Sequence, residues 1–218
     1  RPRNNGFPSA DAYLEISKAD VILAFWGYNE SFDNSPDAYR ADLAKWIDET
    51  KGKKYNGKGA PRIVLLSPIA HENLGQANLP DGSANNERLA KYTEATRQVS
   101  NEKGVEFVDL FNLSQALYER SKLPLTINGI HLNSRGNSQL ARGIHKNLFG
   151  KSPRASGRKL ARIRDAVLDK NWHWYNRYRA TDGNDVWGGR SGLAFVKKQT
   201  NRVVLQHELK MIDVMTAN

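Results

Sequence analysis

The stretch Val21-Ile22-Leu23-Ala24-Phe25-Trp26-Gly27-Tyr28-Asn29-Glu30 decides how this chain folds. It opens on apolar, β-favouring residues, which predict a buried strand over about 21–26. Gly27 lets the backbone turn sharply. Asn29 follows just past the strand end, where open α/β sheets place ligand-binding groups. A second stretch, Asn128-Gly129-Ile130-His131-Leu132-Asn133, puts an imidazole in a loop just before a helix. The Asn29 amide can donate to a developing oxyanion, and a neutral His131 can act as a general base. Taken singly, each has a plainer reading, a turn and a surface histidine, because short motifs recur by chance.

Around this pair the pattern is strand then helix, three times over. Arg62-Ile-Val-Leu-Leu66 is short and continuously apolar, as parallel strands buried on both faces are. Val105-Glu-Phe-Val-Asp109 is the third strand. Ser9 is placed to cap a helix over Ala10–Ser17, and Ser35-Pro36 to start one carrying Leu43, Trp46 and Ile47. Helices are further expected over Asn86–Lys103, stopped by Gly104, over Leu113–Arg120, and from Asn133 or Ser134 to Gly150. This order implies a parallel sheet with helical crossovers. Three strands are few for such a sheet, and no other segment reads as a strand.

Residues 1–150 hold 19 Lys and Arg against 17 Asp and Glu, whereas 151–218 hold 14 against 6. The net charge of +10 therefore sits mostly in the tail, which predicts a boundary near Gly150. In 1–8, Pro, Gly and Asn suggest an exposed lead-in. No apolar run reaches the roughly 18–20 residues of a membrane span. The absence of cysteine excludes disulfides and thiolate chemistry. No His, Asp and Glu cluster has metal-ligand spacing and no phosphate loop is present, so neither metal nor cofactor is expected.

In the tail, Leu160, Ile163, Ala166 and Val167 predict an amphipathic helix to about Lys170. Beyond it, Trp172, Trp174, Tyr175, Tyr178 and Trp187 crowd beside Arg177, Arg179 and Arg190. Such a set can grip an anionic polymer or sugar, or dock the extension on its own or a neighbouring domain. Leu193–Met215 reads as helical, with Leu205, Leu209, Ile212 and Met215 as a stripe.

Gly27-Tyr28-Asn29 at a strand end, and His131 before a final helix, resemble the SGNH (GDSL-type) hydrolase family over about residues 10–150. Lys54–Pro61, Ser67–Glu72, Asn171–Trp174 and Tyr178–Gly183 look, more narrowly, like large planctomycete-type proteins carrying such a domain. The resemblance implies a three-layer α/β/α flavodoxin-like fold and hydrolysis of small or carbohydrate esters without a cofactor. It makes His131 the base and Asn29, with Gly27 in its turn, an oxyanion donor. It also implies a periplasmic or extracellular site of action, by analogy alone.

Two departures accompany it. The blocks that carry the family's serine nucleophile and second oxyanion glycine would lie before Arg1. The chain thus reads as an N-terminally truncated fragment or processed product whose first strand is a bare edge, poorly soluble and inactive alone. In addition, the acid three residues before the histidine is replaced by Asn128, which can orient an imidazole but brings no charge. Asp109 is a candidate substitute acid or a helix cap. Tyr28, Glu30, Ser67 and His71 are candidate pocket-lining residues, with structural roles as the alternative for Glu30 and Ser67 and an ordinary loop position as the alternative for His71. The competing reading is a non-catalytic binding module whose basic aromatic tail holds an anionic polymer.

Overall fold

A computed structural model describes residues 9–151, 157–178 and 183–217. The predicted lead-in 1–8 and Arg179 lie outside the described residues. The chain divides into two compact units, Arg1–Pro153 and Arg154–Asn218.

The first unit runs α1 (Ala10–Ile16), β1 (Val21–Phe25), a 3-10 turn (Glu30–Asp33), α2 (Pro36–Lys51), β2 (Arg62–Leu66), α3 (Ser83–Lys103), β3 (Glu106–Val108), α4 (Leu110–Arg120) and α5 (Ser134–Phe149). The strands form one parallel sheet in the order β1-β2-β3, with Val21 beside Arg62 and Val64 beside Glu106. Side chains alternate across the sheet. Ala24, Ile63 and Leu65 pack on Tyr39, Leu43 and Ile47 of α2 and Tyr92, Ala95 and Val99 of α3. On the other face Val64, Leu66 and Val108 pack on Leu110, Leu113 and Leu117 of α4 and Leu140, Ile144 and Leu148 of α5. This is the predicted α/β/α layering. β2 is buried on both faces, which is why its sequence shows no polar alternation.

Local signals set most boundaries. The Ser9 hydroxyl accepts the Ala12 N–H at 3.2 Å, and Asn133 caps α5 by accepting the Gly136 N–H at 3.0 Å. Such caps contribute about 1 kcal/mol each. Gly104 and Gly150 end α3 and α5 with left-handed φ values of 60° and 69°. α3 begins three residues before the predicted Asn86, and α4 three before Leu113.

β1 is the expected bare edge, paired among the described residues with β2 alone, but it is not buried: Val21, Leu23 and Phe25 are 49%, 47% and 53% exposed. One apolar face of the predicted buried strand is therefore open.

The second unit comprises α6 (Gly157–Tyr178), α7 (Gly183–Val186), a hairpin of β4 (Ala194–Val196) and β5 (Gln199–Thr200), and α8 (Asn201–Ala217). The hairpin corrects the expectation of a purely helical extension. Lys197 and Lys198 both take left-handed φ, 47° and 69°, as a tight two-residue hairpin turn requires. Lysine is not a residue that announces such a turn. α6 runs eight residues past the predicted end, so Trp172, Trp174, Tyr175 and Tyr178 are helical, and their side chains are exposed. Within the unit α6 packs on α8, where Leu209 is buried and the Arg177 guanidinium meets the Asp213 carboxylate at 2.8 Å. Met215, at the end of the predicted stripe, is exposed.

Candidate active site

A cleft of about 460 Å³ opens at the carboxyl ends of β1 and β2. Tyr28, Asn29 and Glu30 from the turn after β1, Ser67, Pro68 and Ile69 after β2, and Ile130 and His131 from the loop before α5 all line it. Asn29 and His131, 102 positions apart in sequence, thus share one concavity, as parallel α/β topology arranges.

The turn after β1 is held by its own residues. Gly27 has φ +106°, and its N–H donates to the Glu30 carboxylate at 2.9 Å. A side chain at 27 would also press on Pro68, 3.2 Å from its Cδ. Asn29 opens the 3-10 turn without a side-chain cap, so its exposed amide has no partner among the described residues. It is available to a ligand. Tyr28 packs half-buried on Ala70, Leu89 and Phe111 and lines the cleft. Burial pushes its phenol pKa up.

The histidine loop is shaped by one amide. Asn128 Oδ1 accepts the N–H groups of Ile130 at 3.3 Å and His131 at 3.0 Å, and lies 3.1 Å from His131 Nδ1. Backbone N–H groups only donate, so the Asn128 atom facing them is oxygen. His131 Nδ1 therefore carries the hydrogen, and Nε2 presents its lone pair. Nε2 has no partner among the described residues. A neutral imidazole in this tautomer is what a general base requires.

Other predicted residues take structural positions. Ser67 is 1% exposed; its Oγ accepts the N–H groups of Leu110 at 2.8 Å and Phe111 at 3.0 Å and reaches Pro68 O at 3.2 Å. It lines the cleft wall with its hydroxyl already engaged at the start of α4. Asp109 takes the cap position also expected for it, at the start of α4, accepting from Asn112 N at 2.9 Å and Asn112 Nδ2 at 2.6 Å. Its carboxylate is committed there, and the partner of His131 Nδ1 is Asn128. His71 does not line the cleft; it is 3% exposed, beneath the histidine loop. Trp26, which sequence reading leaves in the strand, lines the cleft and meets Trp46 edge-on at 4.4 Å. Its exposure follows from β1 being an edge. Among the described residues no group of three or more His, Asp or Glu is placed to hold a metal, and no helix is long and apolar enough to cross a membrane.

A model of the GDSL-like lipase/acylhydrolase family matches residues 3–139, more than half of the chain. No curated protein matches. Solved structures with a similar fold include a variant of an acetyl-xylooligosaccharide esterase from Geobacillus stearothermophilus, at 20% identity and a TM-score of 0.50, covering 65% of each chain. Another is a lipase/acylhydrolase from Enterococcus faecalis, at 19% identity and a TM-score of 0.45, covering 65% of this chain and 67% of that one. The chain spans about 65% of the length of the first of these. The parallel α/β layering, the shared cleft and the family match agree: the chain belongs to the GDSL-like lipase/acylhydrolase family.

Proposed function

We propose that residues 1–218 supply the base and one oxyanion donor of an ester-hydrolysing site. The observation that carries this reading is the pairing, in one cleft, of the Asn29 amide with the His131 Nε2, neither of which has a partner among the described residues. Ser67, the one serine lining the cleft among the described residues, has its hydroxyl engaged, so in this reading the serine nucleophile is supplied from outside residues 1–218. Nε2 takes the proton as that serine attacks the acyl carbon, and the Asn29 amide helps hold the oxyanion. The imidazolium then protonates the leaving alcohol, and the same nitrogen activates water to release the acyl group. In this reading the substrate is an acyl or acetyl ester of a carbohydrate or small molecule. The similarity to an acetyl-xylooligosaccharide esterase points the same way.

The test is turnover of p-nitrophenyl acetate by the full-length protein that carries this chain. His131→Ala is expected to lower kcat by about 10²–10⁴-fold. Unchanged turnover removes His131 from the mechanism.

A further inference from the structure

We propose that Glu72 is a positioning residue for His131, acting through Thr126 and Gly129 of the histidine loop. The proposal deepens the ester-hydrolase reading and rests on it only for the activity readout.

Glu72 is 7% exposed, and among the described residues no Lys, Arg or His forms an ion pair with its carboxylate. A buried carboxylate without a countercharge is costly unless donors replace its water. Here the donors all come from the histidine loop. Oε1 and Oε2 accept the Leu125 N–H at 3.0 and 3.1 Å, and Oε2 also accepts Thr126 N at 2.7 Å and Thr126 Oγ1 at 2.6 Å. Because the Thr126 hydroxyl gives its hydrogen to Glu72, its lone pairs face Gly129, whose N–H donates to it at 3.0 Å. The Glu72 N–H in turn donates to Gly129 O at 2.8 Å. Both backbone polar groups of Gly129 are thus held by Glu72 or by the hydroxyl it orients. Gly129 is the residue between Asn128 and the Ile130-His131 pair, so its placement sets where Asn128 Oδ1 meets the imidazole.

The neighbouring residue completes the seat. The Arg88 guanidinium, a donor only, faces Asn85 Oδ1, so the Asn85 NH₂ faces His71 Nδ1 at 2.8 Å. His71 then carries its hydrogen on Nε2, a buried atom without a hydrogen-bond partner among the described residues. The ring is wedged between Gly82 and Gly129. A Cβ at 82 would lie 2.7 Å from Cγ and Cδ2, and one at 129 would overlap Nε2 and sit 2.9 Å from Glu72 O. The loop rests on His71 and is tied down by Glu72. An orienting contact moved by about 1 Å can cost 10²-fold in rate, so such an anchor reaches the chemistry without touching substrate.

The test uses Glu72→Gln, Glu72→Asp, Thr126→Val and Thr126→Ser in the full chain, read by amide exchange and by ¹⁵N–¹H correlation of the His131 ring. Glu72→Gln turns one acceptor oxygen into a donor facing loop N–H groups. It is expected to speed exchange at Thr126 and Gly129 at least tenfold while Leu65 and Val99 stay protected, and to mix the two His131 tautomers. Thr126→Val breaks the relay to Gly129 with Glu72 intact and is expected to mix them too; Thr126→Ser and, in part, Glu72→Asp restore the single tautomer. In the full-length protein, kcat for p-nitrophenyl acetate falls tenfold or more at unchanged KM. A wild-type His131 tautomer in Thr126→Val or Glu72→Gln, with only the melting temperature lowered, overturns the proposal. If Glu72→Gln does not fold, the Thr126 pair decides alone. Tautomer mixing in the variants together with no turnover by the wild type would sink the hydrolase reading and leave the positioning role standing.

Discussion

Asn128 holds His131 oxygen-first: its Oδ1 lies 3.1 Å from the ring Nδ1 while accepting the N–H groups of Ile130 and His131 itself. In the serine-protease template, Asp→Asn at the orienting position lowers turnover by about 10⁴-fold because the amide favours the wrong imidazole tautomer. Two backbone donors prevent that here, so only the charge is missing. Asn128→Asp is expected to keep the loop and raise kcat by about tenfold or more. Asn128→Leu, which removes the oxygen altogether, is expected to lower it by about 10²-fold. Steady-state kinetics on the full-length protein separates the outcomes; an Asn128→Leu enzyme as fast as wild type would show that the contact orients nothing.

Asn29→Ala removes a side-chain donor that makes no bond within the described residues. Stability should be unaffected, while kcat falls by about 10²–10³-fold, the usual loss for one oxyanion donor. KM should scarcely move, because the bond strengthens only as charge develops on the oxygen. A rise in KM at constant kcat would assign Asn29 to ground-state binding instead.

Gly129→Ala combines two costs. The residue has φ +87°, and its Cβ would collide with His71 and the Glu72 carbonyl. Gly57 has a similar φ of +75° but open space around it. Urea unfolding should therefore show Gly57→Ala costing about 1–2 kcal/mol, the left-handed penalty alone, and Gly129→Ala clearly more. Equal losses would mean that the His71 wedge yields freely.

His71 makes stability depend on pH. Burial, opposed by the Asp81 carboxylate, holds its pKa below the ordinary imidazole value of 6.5. Between that value and the lower folded one, the unfolded chain binds more protons than the folded chain. The stability contributed by keeping His71 neutral is thus complete above about pH 6.5 and is lost as the pH falls toward the folded value. Urea midpoints at pH 7.5, 6.5 and 5.5 should decline in that order, and His71→Gln, which cannot titrate, should flatten the decline. A slope identical in the variant would place the effect elsewhere.

Val21, Leu23 and Phe25 project from an edge strand into solvent. Exposed apolar edges recruit other strands. Residues 1–218 expressed alone should therefore self-associate, and Leu23→Lys should raise the soluble fraction measured by light scattering and sedimentation. Because Leu23 lies on the face away from Ala24 and the α2–α3 core, the substitution should leave the far-UV spectrum intact.

A resemblance to a known family, not local pattern, paired Asn29 with His131. The layering of the first unit and the caps at Ser9, Asn133, Gly104 and Gly150 were legible in the sequence itself, whereas Ser35, expected to cap α2, makes no side-chain cap bond. Each legible feature rests on neighbours within a few positions: the unbroken Ile63-Val-Leu-Leu66 run, a Ser9 or Asn133 hydroxyl or amide three residues from its N–H, Gly104 beyond α3. What only the tertiary structure decided were meetings between distant residues. Glu72 with Leu125 and Thr126 is separated by 53 and 54 positions, and Ser67 with Leu110 by 43. A polar side chain looks the same in sequence whether water or a folded-back N–H satisfies it. Asp109 was therefore open to reading as an acid, and Ser67 and His71 to reading as pocket-lining residues, until the groups around them were in place. The edge position of β1 was expected, but its open apolar face was not: whether a strand's face is covered depends on the elements packed beside it, and its own residues do not name them.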